Sequence, residues 1–425
     1  MKEQKEDLRL IFRNFDNYKN LDYISSWFKK GTEYIQHSNC KLSFVSTNSI
    51  IQGEQVALLW PYILNKVEIN FAYHSFKWTN SAKGNAGVTV TILGLRNFSN
   101  ENKYLFEDDL KKLAKNINPY LIDAPNIFVK RLSKNINDFP SLVRGSMPTD
   151  GGNFEINEDE KEYLLKEHPE SKILIKKLMS GGDFMKGAYR WCLWIKDKDI
   201  ELAKSIPLIQ EKLELVKQFR LDSKAPTTVE YAKHNNRFRQ ISYKETDCIV
   251  VPLTSSVRRK YIPFGFENEN TVMTNSAGVI YDADLWLFGI LSSKIHMVWV
   301  SVTCGRLKTD YRYSSHLSYN TFPFPDISKV KKANIEENVL AVLEEREKDS
   351  EKTMAELYDP DKMPAGLRQA HKDLDEAVER CYRLQPFDND TQRLEYLFKE
   401  YEKMIAKNTL FQPARRGGKQ KKRRK

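Results

Sequence analysis

Two prolines in the string FPFPDI, Pro323 and Pro325, divide this chain more sharply than any other feature. Neither can donate a ladder or helix hydrogen bond, so regular structure is interrupted there. Beyond them the pattern turns helical. NIEENVLAVLEEREKDSEKTMAELY, LRQAHKDLDEAVERCYRL and DTQRLEYLFKEYEKMI each carry apolar residues at three- and four-residue spacing, and DPDKMPAG breaks the first from the second. A small helical bundle over 326–412 is the expected product. It is followed by PARRGGKQKKRRK, residues 413–425, a basic tail expected to be disordered.

Ahead of the prolines, residues 1–105 mix helix and strand periods. LDYISSWFKKGTEYI places Leu21, Ile24, Trp27, Phe28, Tyr34 and Ile35 near one helical face. KLSFVSTNSI reads as a buried strand ending in polar residues, and EQVALLWPYIL as a short helix whose continuation Pro61 restricts. VEINFAYHSFKW and GVTVTILGL alternate as strands, joined by the turn-rich TNSAKGNA. Strand, helix and a strand pair suggest one end of an α/β sheet. Residues 106–325 are irregular, with short strands, several glycines and many aromatics. They read as mixed α/β of a topology that periodicity does not fix. GSMP at 145–148, Gly151 and Gly181 read as turns.

The formal net charge of +11 favours a polyanionic partner through long-range attraction. The tail suits either a non-specific phosphate-binding arm or a solubilising end. Five scattered cysteines (Cys40, Cys192, Cys248, Cys304, Cys381), with no CxxC and no histidine pair nearby, argue against a zinc site and against a disulfide framework. No apolar run approaches the roughly 20 residues of a bilayer span, and MKEQKEDLRLIF lacks the apolar stretch of a signal peptide. The expectation is a cytoplasmic protein with no membrane partner and no metal.

The sequence contains no HExxH, no GxSxG and no GxxxxGK[ST], so no self-sufficient active site is legible. Two segments do carry information. STNSIIQGEQV, Ser46 to Val56, sets a polar cluster at a strand end, where open α/β sheets place ligands; a polar loop capping the next helix fits the pattern equally. CGRLKTDYRYSSHLSYNTFPFP alternates Arg306, Lys308 and Arg312 with aromatics such as Tyr313. In a strand Lys308, Asp310 and Arg312 share one face. Such a face suits reading of base edges, since Lys or Arg donates to guanine and Asp accepts from the cytosine amino group. A surface strand with mutually neutralising charges is the plainer alternative.

Together with FAYHSFKWTNSAKGNAGVTVTILGL, MPTDGGNF, GAYRWCLWI, FGILSSKIHMVWV and LYDPDKMPAGLRQAHKDLDEAV, these strings resemble the MmeI-like (type IIG/IIL) family of restriction–modification enzymes and their adenine-specific methyltransferase relatives. They run in the family's order from about residue 20 to 405. The resemblance implies a fold that is α/β plus α. Residues 1–105 would be the last part of a Rossmann-like methyltransferase sheet, 106–325 a mixed α/β target recognition domain, and 326–412 the helical domain. It further implies methylation of adenine in double-stranded DNA, with S-adenosylmethionine as donor. Asn48, Ser49, Gln52, Gly53 and Gln55 match the family string beside the catalytic pocket, and Phe76, Lys77 and Trp78 match a late hairpin near the flipped base. Arg306, Lys308, Asp310, Arg312 and Tyr313 fall on the strand that reads base pairs; a Lys308/Asp310 pair implies one G·C position. The family's glycine-rich donor loop and NPPY-type motif do not occur in this sequence. The expectation is therefore the C-terminal portion of a methyltransferase, inactive alone and completed by an upstream half. The alternatives are a catalytically inactive DNA-binding module or specificity subunit, and the remnant of an interrupted gene.

Overall fold

The computed structural model of the chain describes residues 2–78, 88–107, 110–137, 139–307 and 309–411. Lys308, the tail and the whole of TNSAKGNA therefore lie outside the described residues.

Helices α1 (Lys2–Ile11) and α2 (Ser25–Ile35) lead into β1 (Leu42–Thr47), α3 (Gly53–Leu64), β2 (Glu68–Lys77), β3 (Thr89–Arg96), β4 (Lys103–Glu107) and β5 (Leu110–Ala114). The five strands form one sheet in the order β1-β3-β2-β4-β5. β3 pairs antiparallel with both β1 and β2, and β4 pairs parallel with β2. A buried ion cluster holds the parallel join. Arg96 donates to Glu68 at 2.8 Å, and Lys103 meets the other Glu68 oxygen at 2.9 Å. Each charge there faces an opposite one, as burial of charge requires.

Two expectations for this region need correction. Trp27 is 55% exposed and Tyr34 80% exposed, because the buried stripe of α2 runs through Ser25, Phe28, Thr32 and Ile35. Trp27 and Tyr34 each adjoin a stripe residue, a step of about 100° around the helix. β1 is not a buried strand but the edge of the sheet. Only one of its faces is covered, by Phe28 of α2 against Phe44, and Val45 on the other face is half exposed. As the sequence suggests, α3 is short and ends at Leu64, three residues beyond Pro61; its buried face is Val56, Leu59, Trp60 and Ile63.

Three smaller sheets build the middle of the chain. One joins Leu142–Arg144, Ala277–Tyr281, Cys248–Pro252 and Gly265–Glu267; another joins Glu155–Ile156, Arg190–Leu193, Ile175–Met179 and Thr271–Met273. The third is the hairpin Gly305–Leu307/Asp310–Arg312 with Thr254–Ser255 beside it. Gly151 lies in a tight turn, as expected: Gly151 and Gly152 have positive φ, and the Asp150 carboxylate accepts from the Phe154 amide at 2.7 Å. Buried Arg220 fastens that turn by donating to the carbonyls of Pro148, Thr149, His234 and Arg237. The other two turn expectations are corrected, since Ser146 and Met147 are extended and bridge Thr274 and Gln240, and Gly181 opens the helix Gly181–Lys186.

Helices Lys329–Glu347, Ala365–Tyr382 and Asp390–Phe411 confirm the helical reading past the prolines, with Ser328 capping the first. They close around two buried helices of the preceding region, Leu285–Leu291 and Lys294–Thr303. Gly289 leaves the room that Ile335 and Val339 fill. One core consequently unites buried residues from Leu8 to Leu142 with those from Ile249 to Tyr401, while Phe154 to Phe238 pack into a separate core of their own. Among the described residues no single helix is long and apolar enough to cross a membrane.

Candidate nucleic-acid interface

The polar turn after β1 and the end of β2 lie at one end of the first sheet. Thr47 pairs with Val90 of β3, and Val90 pairs with Phe76 on its other side. At a strand spacing of nearly 5 Å, Thr47 and Phe76 stand about 10 Å apart. An irregularity in β2 between Tyr73 and Phe76 re-aims the strand just before it ends. Phe76 and Trp78 are left 37% and 42% exposed beside exposed Lys77. Asn48 and Ser49 are half-buried in a one-turn 3-10 helix that Trp60 pins by donating its indole N–H to the Ile50 carbonyl at 2.7 Å. Gln55 points elsewhere. Its amide clamps the segment before α2, accepting from the Asp22 N–H and donating to the Asn20 carbonyl, so its contacts are those of a structural tie.

The turn meets the hairpin directly. Gly53 has φ +56°, and a Cβ there would lie 3.3 Å from the Gly305 amide nitrogen. Arg306 Nε donates to Gln52 Oε1 at 3.3 Å, its guanidinium also bonds the Ser301 carbonyl at 3.1 Å, and it stacks over Tyr311 at 3.9 Å. One predicted DNA contact is corrected by this geometry, and another has internal partners. Arg306 is half-buried among Gln52, Ser301 and Tyr311. Tyr313 is buried, with its hydroxyl 2.8 Å from His296 Nε2; burial pushes the His296 ring down to about 3 and keeps it neutral. Strand alternation explains both sides of the hairpin: Tyr311 and Tyr313 face the core, while Asp310 and Arg312 flank Tyr311 on the opposite face.

Arg312 opens onto a cleft of about 740 Å³ that also presents Arg131, Lys134, Arg144 and His316, with Ser133, Ser314, Ser315 and Asn320 between them. Among its described lining residues Glu54 is the one acid. The segment carrying Arg131 is held in place through the Leu132 backbone, whose N–H donates to the His316 carbonyl at 3.0 Å and whose carbonyl accepts from Asn320 Nδ2 at 2.8 Å. Burial first, then the charges of Arg131 and Arg144, push the His316 pKa below its usual value. Such a cleft can receive the phosphates of a polyanion while the hairpin edge faces its bases. Sequence reasoning missed Arg131, Lys134 and Arg144. The signal was VKRLSK, whose extended backbone has no period to mark a face.

For the methyl donor the fit is poor. The left-handed glycine between strand and helix in the first sheet is Gly53, and the Gly305 backbone already fills the space beside it. The turn at Gly53 therefore offers no cradle for S-adenosylmethionine.

Comparisons with known proteins follow the same division. The MmeI DNA-methyltransferase domain family matches residues 1–107, the MmeI target recognition domain family 123–326, and the MmeI C-terminal domain family 327–409. DNA methyltransferase A of Bacillus subtilis (strain 168) is 46% identical over 405 residues, a match covering 95% of this chain and 46% of that protein. The solved structure of the type IIL restriction–modification enzyme MmeI in complex with DNA superposes with a TM-score of 0.85 at 37% identity, covering 96% of this chain and 55% of MmeI. The chain thus spans about half the length of each. With its methyltransferase, recognition and C-terminal stretches matched in order, it belongs to the MmeI-like family of restriction–modification DNA methyltransferases.

Proposed function

We propose that this chain supplies DNA target recognition and part of the catalytic fold of a site-specific adenine methyltransferase that draws its methyl group from S-adenosylmethionine. Its partner is double-stranded DNA, lying along the basic cleft. Arg131, Lys134 and Arg144 take phosphates, while Lys308, Asp310 and Arg312 serve to read base edges. Asn48, Ser49, Gln52, Phe76 and Trp78 flank the position of the flipped adenine, the two aromatics offering surfaces for stacking. The observation that carries the reading is the join of the hairpin to the Gln52–Gly53 turn. On this reading the join sets the spacing between the bases read and the base modified, which a site-specific methyltransferase requires. The presence of DNA in the MmeI structure supports the same reading.

The test is methylation of a DNA library with radiolabelled S-adenosylmethionine, run with this chain alone and with the donor-binding region of a family member added or fused. Label in adenine only when both parts are present is the expected result. Label from this chain alone overturns the division of labour. No label in either case, with sequence-selective DNA binding intact, reduces the chain to a binding module.

A further inference from the structure

Glu54 is an odd residue to find in a cleft built for a polyanion. It follows Gly53 in the first turn of α3, and its carboxylate has two partners: Asn20 Nδ2 at 3.2 Å on one oxygen and the Arg131 guanidinium at 3.2 Å on the other. The ion pair is open to water, with Glu54 25% and Arg131 47% exposed. Both residues line the 740 Å³ cleft, and both also line a second cleft of about 630 Å³ bounded by Asn17, Ala57 and Lys130. The pair is thus the partition between two adjoining hollows. One partner comes from the methyltransferase-matched stretch and the other from the recognition-matched stretch.

We propose that the Glu54–Arg131 pair is a latch on the DNA groove: in the free protein the carboxylate holds the guanidinium that a DNA phosphate takes in the complex, and parting of the pair joins the two clefts. The inference rests on the reading of the basic cleft as a DNA site. A guanidinium fork fits carboxylate and phosphate with the same geometry, so the exchange needs no new shape. The field already felt at His316, lowered by Arg131 and raised by Glu54, shows that both charges bear on the cleft. An ion pair this exposed is a weak hold. Its release should therefore tighten DNA binding by only about two- to five-fold.

The experiment measures binding of a labelled random-sequence duplex to the full chain by fluorescence anisotropy over a salt series. The variants are E54Q, R131A, the double substitution and, as a control, R144A. E54Q keeps an acceptor for Asn20, and a thermal melt checks its fold. A latch predicts tighter binding by E54Q, weaker binding by R131A with a salt slope shallower by about 0.9, and no gain from E54Q once Arg131 is gone. Equal tightening by E54Q in both backgrounds would mean general repulsion and would overturn the latch. So would an E54Q affinity equal to that of the parent while R144A weakens binding. If neither R131A nor R144A alters affinity, the fault lies in the reading of the cleft itself.

Discussion

The Nε of Arg306 donates to the Oε1 of Gln52 at 3.3 Å across 254 residues of chain. One partner belongs to the polar turn that ends the first strand and the other to the base of the recognition hairpin. Each segment stands out in the sequence for its own chemistry, and the fold makes them neighbours. Arg306→Ala should destabilise the protein by about 1–3 kcal/mol, since it also strips a partner from the Ser301 carbonyl and uncovers the Tyr311 ring. Paired with Gln52→Ala in urea unfolding, a double-mutant cycle should return a coupling of about 0.5–1.5 kcal/mol. Strict additivity would show that the two segments are merely adjacent.

Phosphate binding and base reading should separate by experiment. Replacing Lys134 or Arg144 with alanine should weaken binding to all duplexes alike and make the dependence of log K on log salt shallower by about 0.9 for each phosphate no longer neutralised. Replacing Asp310 with asparagine should instead shift preference at one base position by about 1–3 kcal/mol, read by selection from a random library. A uniform loss at every sequence for Asp310→Asn would remove that residue from base reading.

Much of the fold was legible because periodicity reports burial. The strands at Glu68–Lys77 and Thr89–Arg96 and the helices beyond Pro325 follow directly from two- and three-to-four-residue spacing. What failed were inferences about which neighbour covers a side chain. Trp27 and Tyr34 are apolar enough for a core, yet the buried stripe passes beside them. Tyr313 has the chemistry of a DNA-binding group, yet it is buried against His296. The basic cleft was illegible for a related reason. Arg131, Arg144 and Arg312 converge from an extended segment and two short strands far apart in sequence.

Asp375 should make stability depend on pH. It is half-buried on the helix Ala365–Tyr382, where its carboxylate accepts from the Lys294 amide at 2.6 Å and from the Tyr261 hydroxyl at 2.7 Å. Burial, helped by the charge of Glu379, pushes its pKa up to about 7; the Tyr261 and Lys294 hydrogen bonds and the Lys294 charge oppose this only in part. The folded protein thus holds this proton more tightly than the unfolded chain, whose carboxyl titrates near 4. The associated stability is complete below about pH 4 and is lost as pH rises through about 7, a swing of up to about 4 kcal/mol. Asp375→Asn keeps an acceptor for the Lys294 amide and cannot ionise. Its melting temperature relative to the parent should therefore climb between pH 5 and pH 8; a constant gap across that range would refute the assignment.

Gly53 and Gly305 touch each other, but substitution should treat them differently. Gly53 sits at φ +56°, and a Cβ there would stand 3.3 Å from the Gly305 nitrogen, 3.4 Å from its Cα and 3.5 Å from the Cys304 carbonyl carbon. Those neighbours are backbone and cannot swing aside as a side-chain tip would. Alanine also disfavours the left-handed region by about 1–2 kcal/mol. Gly53→Ala should accordingly cost about 1–3 kcal/mol in urea unfolding. Any relief must come from moving the hairpin base away from α3, so a loss of DNA selectivity should accompany the loss of stability. At Gly305 nothing lies within 4 Å of an added Cβ, and its φ is not positive. Gly305→Ala should stay within about 0.5 kcal/mol of the parent. Equal costs at the two positions would mean that the close approach of turn and hairpin is not what requires glycine at 53.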